Sequence, residues 1–164
     1  MSLYLETEGI ADLPFDAMDT ARLVVDAALD YIKCPYEAEV NLLLTNDAEI
    51  REMNRQYRNI DRATDVLSFP MLEYETPGQF QAFEDMPDCF DPESGELLLG
   101  DIVLSMDRVA AQAEEFGHSL KREYSFLIAH SMLHLFGFDH MEDEERLEME
   151  QKQREIMEKI QIMR

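Results

Sequence analysis

Basic side chains, cysteines and long apolar segments are all scarce in this sequence. Its 164 residues include 14 Lys and Arg against 36 Asp and Glu, which gives a formal net charge of -22 at pH 7. Such a charge repels nucleic acids and anionic membranes, so any contact with nucleic acid has to be local or carried by a cation or a partner. The two cysteines, Cys34 and Cys89, are too few and too far apart for a disulfide framework or a four-cysteine metal site. We expect both as free thiols in a reducing cytoplasm.

Segments that would direct the chain into or across a membrane are also missing. No apolar run approaches the roughly 20 residues that a membrane-spanning helix needs. The segment from Met1 to Glu8 carries neither the basic nor the apolar stretch of a secretion signal. The sequence therefore predicts a cytoplasmic protein without membrane contacts. Its length predicts one domain, over residues 1–164, with a core large enough to fold without disulfides.

Three of the four histidines fall in one short run, HSMLHLFGFDH, which extends from His130 to His140. On a helix, His130 and His134 leave the same face, about 6 Å apart along the axis. A continuous helix would point His140 about 120° away from the pair, so the helix has to end between them. Gly137 can end it, because glycine accepts the left-handed conformation. Three neutral imidazoles suit Zn²⁺ and also Ni²⁺, Cu²⁺ or Fe²⁺, and three protein ligands leave a position for water, as in catalytic zinc sites.

The motif lacks the general base of the related zinc peptidases. In their H-E-x-x-H motif a glutamate follows the first histidine, whereas here the position holds Ser131, whose hydroxyl cannot deprotonate water at neutral pH. The difference argues against ordinary peptide cleavage, although a zinc ion can lower the pKa of its own water to about 7 without such a base. Asp139 beside His140 could fix the tautomer of a ligand imidazole. It could equally be a solvated turn residue.

The apolar pattern predicts strands and helices that are intermixed early and helices that dominate late. The predicted strands are Leu3–Glu8, Glu39–Leu44, Val66–Phe69 and Leu97–Ser105. The predicted helices are Asp16–Lys33, Asn46–Tyr57, Met106–Phe116, Leu120–Phe136 and Glu142–Met163. This order favours a small sheet covered by helices, an α+β fold of the α/β-sandwich type. We expect Met71–Glu96, which has eight acids and no Lys or Arg, to be a solvated mobile loop rather than a lid.

Four arginines, Arg51, Arg55, Arg58 and Arg62, recur at offsets of four, three and four. On a helix they would form one stripe. Arginine grips phosphate with two parallel hydrogen bonds, so the stripe could bind a nucleic-acid backbone. Alternatively, the arginines pair with the neighbouring acids, which are Asp47, Glu49, Glu52 and Asp61. Spacing alone leaves both interpretations open and leans to ion pairing.

Several segments resemble the signatures of the YbeY family. Asn54–Pro70, NRQYRNIDRATDVLSFP, looks like the first signature, and Leu99–Ser105, LGDIVLS, looks like the second. The third and most specific comprises Gly117–Ser119, Glu123 and the histidine run. The departures are Ser131 where many members have glycine, Asn59-Ile60 for a commoner Gly-Lys, and Ala63 for a frequent proline.

The resemblance implies a bacterial, metal-dependent, single-strand endoribonuclease of ribosomal RNA maturation and ribosome quality control. Its substrates would include the 3′ end of the small-subunit RNA, and its partners the small ribosomal subunit or ribosomal proteins. It implies one metallohydrolase domain with a four-stranded mixed sheet, about five helices and one zinc ion on His130, His134 and His140. The family's important arginine falls on Arg58, which favours phosphate binding by Arg58 with Arg55 and Arg62.

Two other functions stay open, a zinc hydrolase of peptides or amides and a non-enzymatic ribosome-assembly factor whose zinc supports folding. The roles of two further motif residues are expected to be modest. Glu123, seven residues before His130 and on nearly the same helix face, is expected to be a surface ion-pair residue. His118 is expected to be a core or capping histidine rather than a metal ligand.

Overall fold

A computed structural model describes residues 1–161, which form a mixed sheet with helices on both faces. The strands are β1 (Ser2–Thr7), β2 (Ala38–Thr45), β3 (Val66–Pro70) and β4 (Leu97–Ser105). The helices are α1 (Ala17–Ile32), α2 (Asp47–Arg58), α3 (Met106–Phe116), α4 (Leu120–Leu135) and α5 (Asp143–Ile160), and two single 3-10 turns span Gln81–Phe83 and Pro87–Cys89. Strand order is β1-β2-β4-β3, with β1, β2 and β4 parallel and β3 antiparallel to β4. The predicted α+β fold is confirmed.

One face of the sheet carries the main core. Alternate residues of β2, Val40, Leu42 and Leu44, point into it together with the buried sides of α1 and α4. On the opposite face α2 covers a smaller cluster, in which Ile50 packs against Leu67 and Val103. The strand alternation of apolar and polar residues therefore separates a thick helical layer from a thinly covered face.

A bulge in β4 keeps its apolar residues on the core side. β2 pairs Glu39 with Leu98 and Val40 with Gly100, so β4 holds one extra residue between them. Leu97 and Leu99 lie in the main core before the bulge, and Ile102 and Leu104 lie there after it. Gly100 has φ +143°, and a Cβ there would be 2.3 Å from the Phe69 carbonyl oxygen, so the bulge requires glycine.

α4 is the central helix, and it carries His130 and His134. It contacts α1, α3 and α5 as well as β3 and β4. Its buried residues extend around most of its circumference. A helix that is apolar on several sides belongs in the interior, and its C-terminal end brings the histidines from the core to the surface.

Most predicted boundaries agree with the structure to within one or two residues. α2, predicted to end at Tyr57, ends at Arg58, because Asn59 takes a left-handed conformation with φ 58° and closes the helix. Arg62 therefore lies beyond the helix, and the stripe that the four arginines would form on one helix does not include Arg62. α5 ends at Ile160, and the predicted end at Met163 lies outside the described residues.

The segment 71–96 is a loop with two 3-10 turns, and most of its residues are exposed, as predicted, but part of it packs on the core. Its side chains Leu72, Phe80 and Phe83 are buried in the main core. The ring of Phe80 packs edge-on against Phe136 with centroids 6.0 Å apart, and the Gly78 N–H donates to the Phe136 carbonyl at 2.8 Å. These aromatic side chains anchor an acidic segment to the C-terminal end of α4.

Two further sequence predictions concern cysteines and membrane contact. Cys34 and Cys89 are both free thiols, as predicted, and each is half-buried. Within residues 1–161 no helix combines the length and the apolar character needed to cross a membrane.

Candidate metal centre and arginine groove

The C-terminal end of α4 forms the turn that the histidine motif requires. The Phe138 N–H donates to the Leu133 carbonyl and the Gly137 N–H to the His134 carbonyl, each at 3.0 Å. Gly137 has φ +94°, so this is a helix end closed by a left-handed glycine. The turn reverses the chain after His134 and returns His140 towards the helix.

The reversal brings the three imidazoles into one cluster. One ligand nitrogen from each of His130, His134 and His140 lies within 4.8 Å of the others. The Nε2 atoms of His130 and His134 are 3.2 Å apart. Two nitrogens bound tetrahedrally to zinc at about 2.0–2.1 Å would be separated by roughly 3.3 Å. The donor set therefore fits a transition-metal ion.

A backbone carbonyl, rather than a carboxylate, fixes the tautomer of His134. The Phe138 carbonyl lies 3.0 Å from Nδ1 of His134, so Nδ1 carries the proton and Nε2 keeps its lone pair for a metal. The sequence left such a role open for Asp139, beside that of a solvated turn residue. The structure places the Asp139 Oδ1 atom 2.7 Å from the backbone N–H of His140, where it accepts a hydrogen bond. Asp139 thus positions the backbone of one ligand instead of the ring of another.

Burial keeps the two helical histidines neutral. It lowers the pKa of His130, and the nearby His140 lowers it further. Burial, followed by His130 and His140, lowers the pKa of His134 to about 4. Because a metal has to compete with protons for imidazole nitrogens, lowered pKa values favour metal binding at neutral pH.

Ser131, at the position of the peptidase base, is fully buried and faces β3. Its Oγ lies 2.6 Å from the Oγ of Ser68, so the two hydroxyls share a hydrogen bond. The side chain therefore joins α4 to the sheet. This placement agrees with the prediction that Ser131 is not a base.

A groove of about 480 Å³ next to the C-terminal end of α2 collects three arginines. It is lined by Asn54, Arg58, Ile60, Arg62, Ala63, Thr64, Asp65, Arg108 and Gln112. Its one carboxylate, Asp65, accepts from Nε2 of Gln112 at 3.2 Å, and it lies near enough to His130 for its charge to oppose the effect of burial on the pKa of that imidazole. Asp65 therefore links the arginine groove to the histidine cluster electrostatically.

The four predicted arginines divide into two pairs. Arg51 Nε lies 2.9 Å from Asp61 Oδ1, and Arg55 forms a salt bridge with Glu52. Of the two interpretations of the arginines, ion pairing therefore applies to Arg51 and Arg55. Arg58 and Arg62 are exposed, and neither forms a salt bridge to any other residue in the described range. Arg108, which the sequence analysis did not single out, joins them in the groove while its Nε lies 3.3 Å from Asp47.

Glu123 was wrongly predicted to be a surface residue. It is only 2% exposed, and its Oε2 lies 3.2 Å from Nδ1 of His118. The prediction assumed an exposed face, whereas α4 is covered by α1, α3 and α5. The pair lies at the N-terminal end of α4, and His118 is not among the clustered histidines, in keeping with its predicted role.

Gln153 is a further buried residue that the sequence pattern did not indicate. This residue of α5 is 4% exposed, and its amide raises the pKa of His130, against the effect of burial. Its Nε2 donates to the Phe126 carbonyl at 3.0 Å. No sequence signal marks it, because α5 is predominantly polar and Gln153 lies between Lys152 and Arg154.

A larger groove, of about 560 Å³, lies on the thinly covered sheet face. Its lining includes the aromatic residues Tyr4, Tyr57 and Phe69 and the carboxylates Glu6 and Asp101, without any Lys or Arg. Phosphate groups would meet only negative charge there. The smaller arginine groove is thus the better match to a nucleic-acid backbone.

The family model and the curated relatives that match this sequence name one family. A family model described as Endoribonuclease YbeY matches residues 6–161. Over 165 aligned residues, covering all of both chains, the sequence is 54% identical to the endoribonuclease YbeY of Lachnoclostridium phytofermentans and 53% identical to that of Agathobacter rectalis. The solution structure of TM1509 from Thermotoga maritima matches with a TM-score of 0.60 at 26% identity, covering 96% of this chain and 88% of that chain.

Proposed function

Because this chain belongs to the YbeY endoribonuclease family, we propose that it cuts single-stranded RNA at a zinc ion held by His130, His134 and His140. One observation carries the proposal. The ligand nitrogens of the three histidines converge within 4.8 Å, and Asp65, whose charge acts on the pKa of His130, lines a groove together with three arginines. Family membership supports RNA cleavage as the reaction, and the converging nitrogens support the histidine cluster as its location.

The residues present fit a zinc ion, which as a bound Lewis acid polarises a phosphate oxygen or lowers the pKa of water. His130 and His134, neutral in the folded protein, offer Nε2 lone pairs, while His140 completes the set from the exposed side. Three ligands with an exposed edge favour a catalytic over a closed structural site.

Arg58 is the proposed phosphate-binding residue. It is exposed, it lines the arginine groove, and it forms no salt bridge within residues 1–161. Its guanidinium can hold a phosphate through two hydrogen bonds and stabilise charge that grows on the oxygens during cleavage. Arg62 is a second RNA contact in the same groove. Arg55, predicted to act with them, has its guanidinium on Glu52 and is assigned a minor part.

The net charge of -22 favours a local mode of RNA binding. A single strand can enter a groove that collects cations, whereas a duplex would also meet the surrounding acidic surface. We propose ribosomal RNA as the substrate, in particular the 3′ end of the small-subunit RNA, with the small ribosomal subunit or its proteins as partners in maturation and quality control. Basic ribosomal proteins would complement the acidic surface.

Neither alternative function has an observation in its favour. A peptidase of the H-E-x-x-H type needs a carboxylate where Ser131 lies buried against Ser68. A zinc that only supports folding is typically enclosed by four ligands, whereas His140 is exposed. The main core is moreover built from the sheet, α1 and α4 without help from the histidines.

The test is cleavage of an end-labelled fragment from the 3′ region of small-subunit RNA by the purified protein. His134→Ala, prepared identically, controls for contaminating nucleases. We expect cutting by the wild type, none by the variant, and none by the wild type after a chelator removes the metal. Equal cutting by both proteins would remove the histidine cluster from the reaction. Absence of cutting by the zinc-loaded wild type would instead favour an assembly factor.

A further inference from the structure

The arginine groove adjoins a second groove, of about 420 Å³. Three residues, Arg62, Ala63 and Arg108, line both grooves and mark the junction between them. The remaining residues of the second groove are Asp61 and three residues from the first half of α2. The two grooves therefore form one path along the surface, of which the proposed function uses only the first part.

Asp65 marks the part of the path that connects to the histidine helix. It lines the arginine groove but not the second groove. It directly precedes β3, and Ser68 of that strand shares a hydrogen bond of 2.6 Å with Ser131, the residue after His130. The second groove thus extends the path on the side away from this connection, and RNA bound in the arginine groove can continue there.

The guanidinium of Arg108 is held at the junction by one edge. Its Nε lies 3.3 Å from Oδ1 of Asp47, and the Ser105 hydroxyl donates to the same oxygen at 2.6 Å. Within residues 1–161 its two terminal nitrogens have no hydrogen bond, and the side chain is 47% exposed. Those nitrogens are the pair of donors that binds a phosphate through two parallel hydrogen bonds.

The backbone of Arg62, the second arginine of the junction, is fixed by a buried amide. Nδ2 of Asn54 donates to the Arg62 carbonyl at 2.9 Å, and the Asn54 carbonyl accepts from the Ile60 N–H at 3.2 Å. These bonds fold the loop after α2 back onto the helix. The Arg62 guanidinium forms no salt bridge in the described part of the chain. The junction therefore offers two cationic side chains on backbone that the protein holds in place.

We propose that this junction is a second phosphate subsite, in which Arg108 together with Arg62 binds the backbone of single-stranded RNA that continues from the arginine groove into the second groove. The carboxylates of the second groove do not oppose this, because Asp47 pairs with Arg108 and Asp61 with Arg51. The inference rests on RNA binding in the arginine groove, a part of the proposed function, and not on cleavage or on the metal.

The test is the affinity for single-stranded oligouridylates of roughly 4 to 16 nucleotides, a range that covers typical single-strand binding sites. Fluorescence anisotropy measures it on the full chain in the His134→Ala background, in which the RNA should stay uncut. Arg108→Ala removes the proposed contact. Arg146→Ala is the matched control, because Arg146 is 54% exposed, pairs with one carboxylate, Asp143, and lines neither groove.

The loss of affinity in Arg108→Ala should depend on RNA length. The shortest RNA, held in the arginine groove, should bind with nearly unchanged affinity, whereas the longest should bind more weakly. On the longest RNA the slope of log K against log salt should be smaller by about 0.7, the value for one phosphate contact on a single strand. Arg108→Lys should keep that slope but recover only part of the affinity, because lysine lacks the paired donors.

Three results would overturn the proposal. The first is unchanged affinity and salt slope in Arg108→Ala at every length. The second is a loss that is the same at every length or is shared by Arg146→Ala, since general charge would then explain it. The third is failure of the longest RNA to bind at all. If the length-dependent loss is found but the zinc-loaded wild type cuts no RNA, the proposed cleavage fails while this subsite stands.

Discussion

The Tyr74 ring lies so close to Gly137 that a Cβ on this glycine would be 2.8 Å from the ring. Gly137 occupies the turn between His134 and His140, and Tyr74 belongs to the segment that also hydrogen-bonds the Phe136 carbonyl through Gly78. The acidic segment 71–96 therefore braces the turn that sets the position of the third histidine.

Gly137→Ala should weaken metal binding for this reason. The added methyl group meets the Tyr74 ring, and the left-handed φ of +94° disfavours alanine, with strain of about 1–3 kcal/mol. We expect lower zinc affinity and a lower thermal midpoint. Gly95→Ala is the control, because Gly95 has φ +74° but nothing within 4 Å of an added Cβ. Equal zinc affinities in the two variants would show that the turn does not depend on the Tyr74 contact.

Arg58→Ala should abolish most RNA cleavage without affecting zinc binding. Removal of one group that stabilises transition-state charge typically lowers kcat by roughly 100- to 1000-fold. Arg51→Ala is the matched control, since Arg51 lies on the same helix and pairs with Asp61 at 2.9 Å. Single-turnover cleavage and zinc affinity are measured for both variants. Cleavage that falls equally in the two would indicate a general charge effect rather than a specific role of Arg58.

Local features of the site could be predicted from the sequence, because their causes lie within a few residues. The spacing of His130, His134 and His140 required a helix that ends between the last two, and Gly137 is where the left-handed turn occurs. The hydrogen bonds that close the turn join residues that are at most five positions apart. Such contacts depend on backbone conformation alone and are therefore visible in the sequence pattern.

Contacts between distant elements could not be predicted in this way. Gln153 of α5 and Asp65 of the loop before β3 both raise the pKa of His130. The sequence around each of these residues looks like that of a solvent-exposed residue. Only the packing of the helices brings the two residues towards the site. Glu123 was predicted to be exposed for the same reason. Its burial depends on the helices that cover α4, and its own sequence pattern does not indicate them.

Ser131→Glu, which would introduce the H-E-x-x-H sequence of the zinc peptidases, should destabilise the protein rather than create a peptidase. The new carboxylate would be buried at the contact of α4 with β3, where Ser68 offers a single hydroxyl. Burial of an unpaired charge costs roughly 3 kcal/mol or more, whereas Ser131→Ala, the control, should cost about 1 kcal/mol. Urea unfolding measures both. A stable Ser131→Glu variant with peptidase activity would contradict this placement.

The metal-free protein should lose stability between pH 7 and pH 5 through its buried histidines. The pKa of His134 is about 4 in the folded protein, against an ordinary value near 6.5 in the unfolded chain. Between these values the unfolded state binds the extra proton, so the free energy of unfolding falls as the pH falls. Protonation of His134 in the unfolded state should lower the free energy of unfolding on the order of 1 kcal/mol at pH 5. His134→Asn lacks this effect, so its free energy of unfolding should fall less between pH 7 and pH 5 by that amount. Urea unfolding of both proteins in the presence of chelator tests this, and parallel declines would show that His134 protonates as easily folded as unfolded.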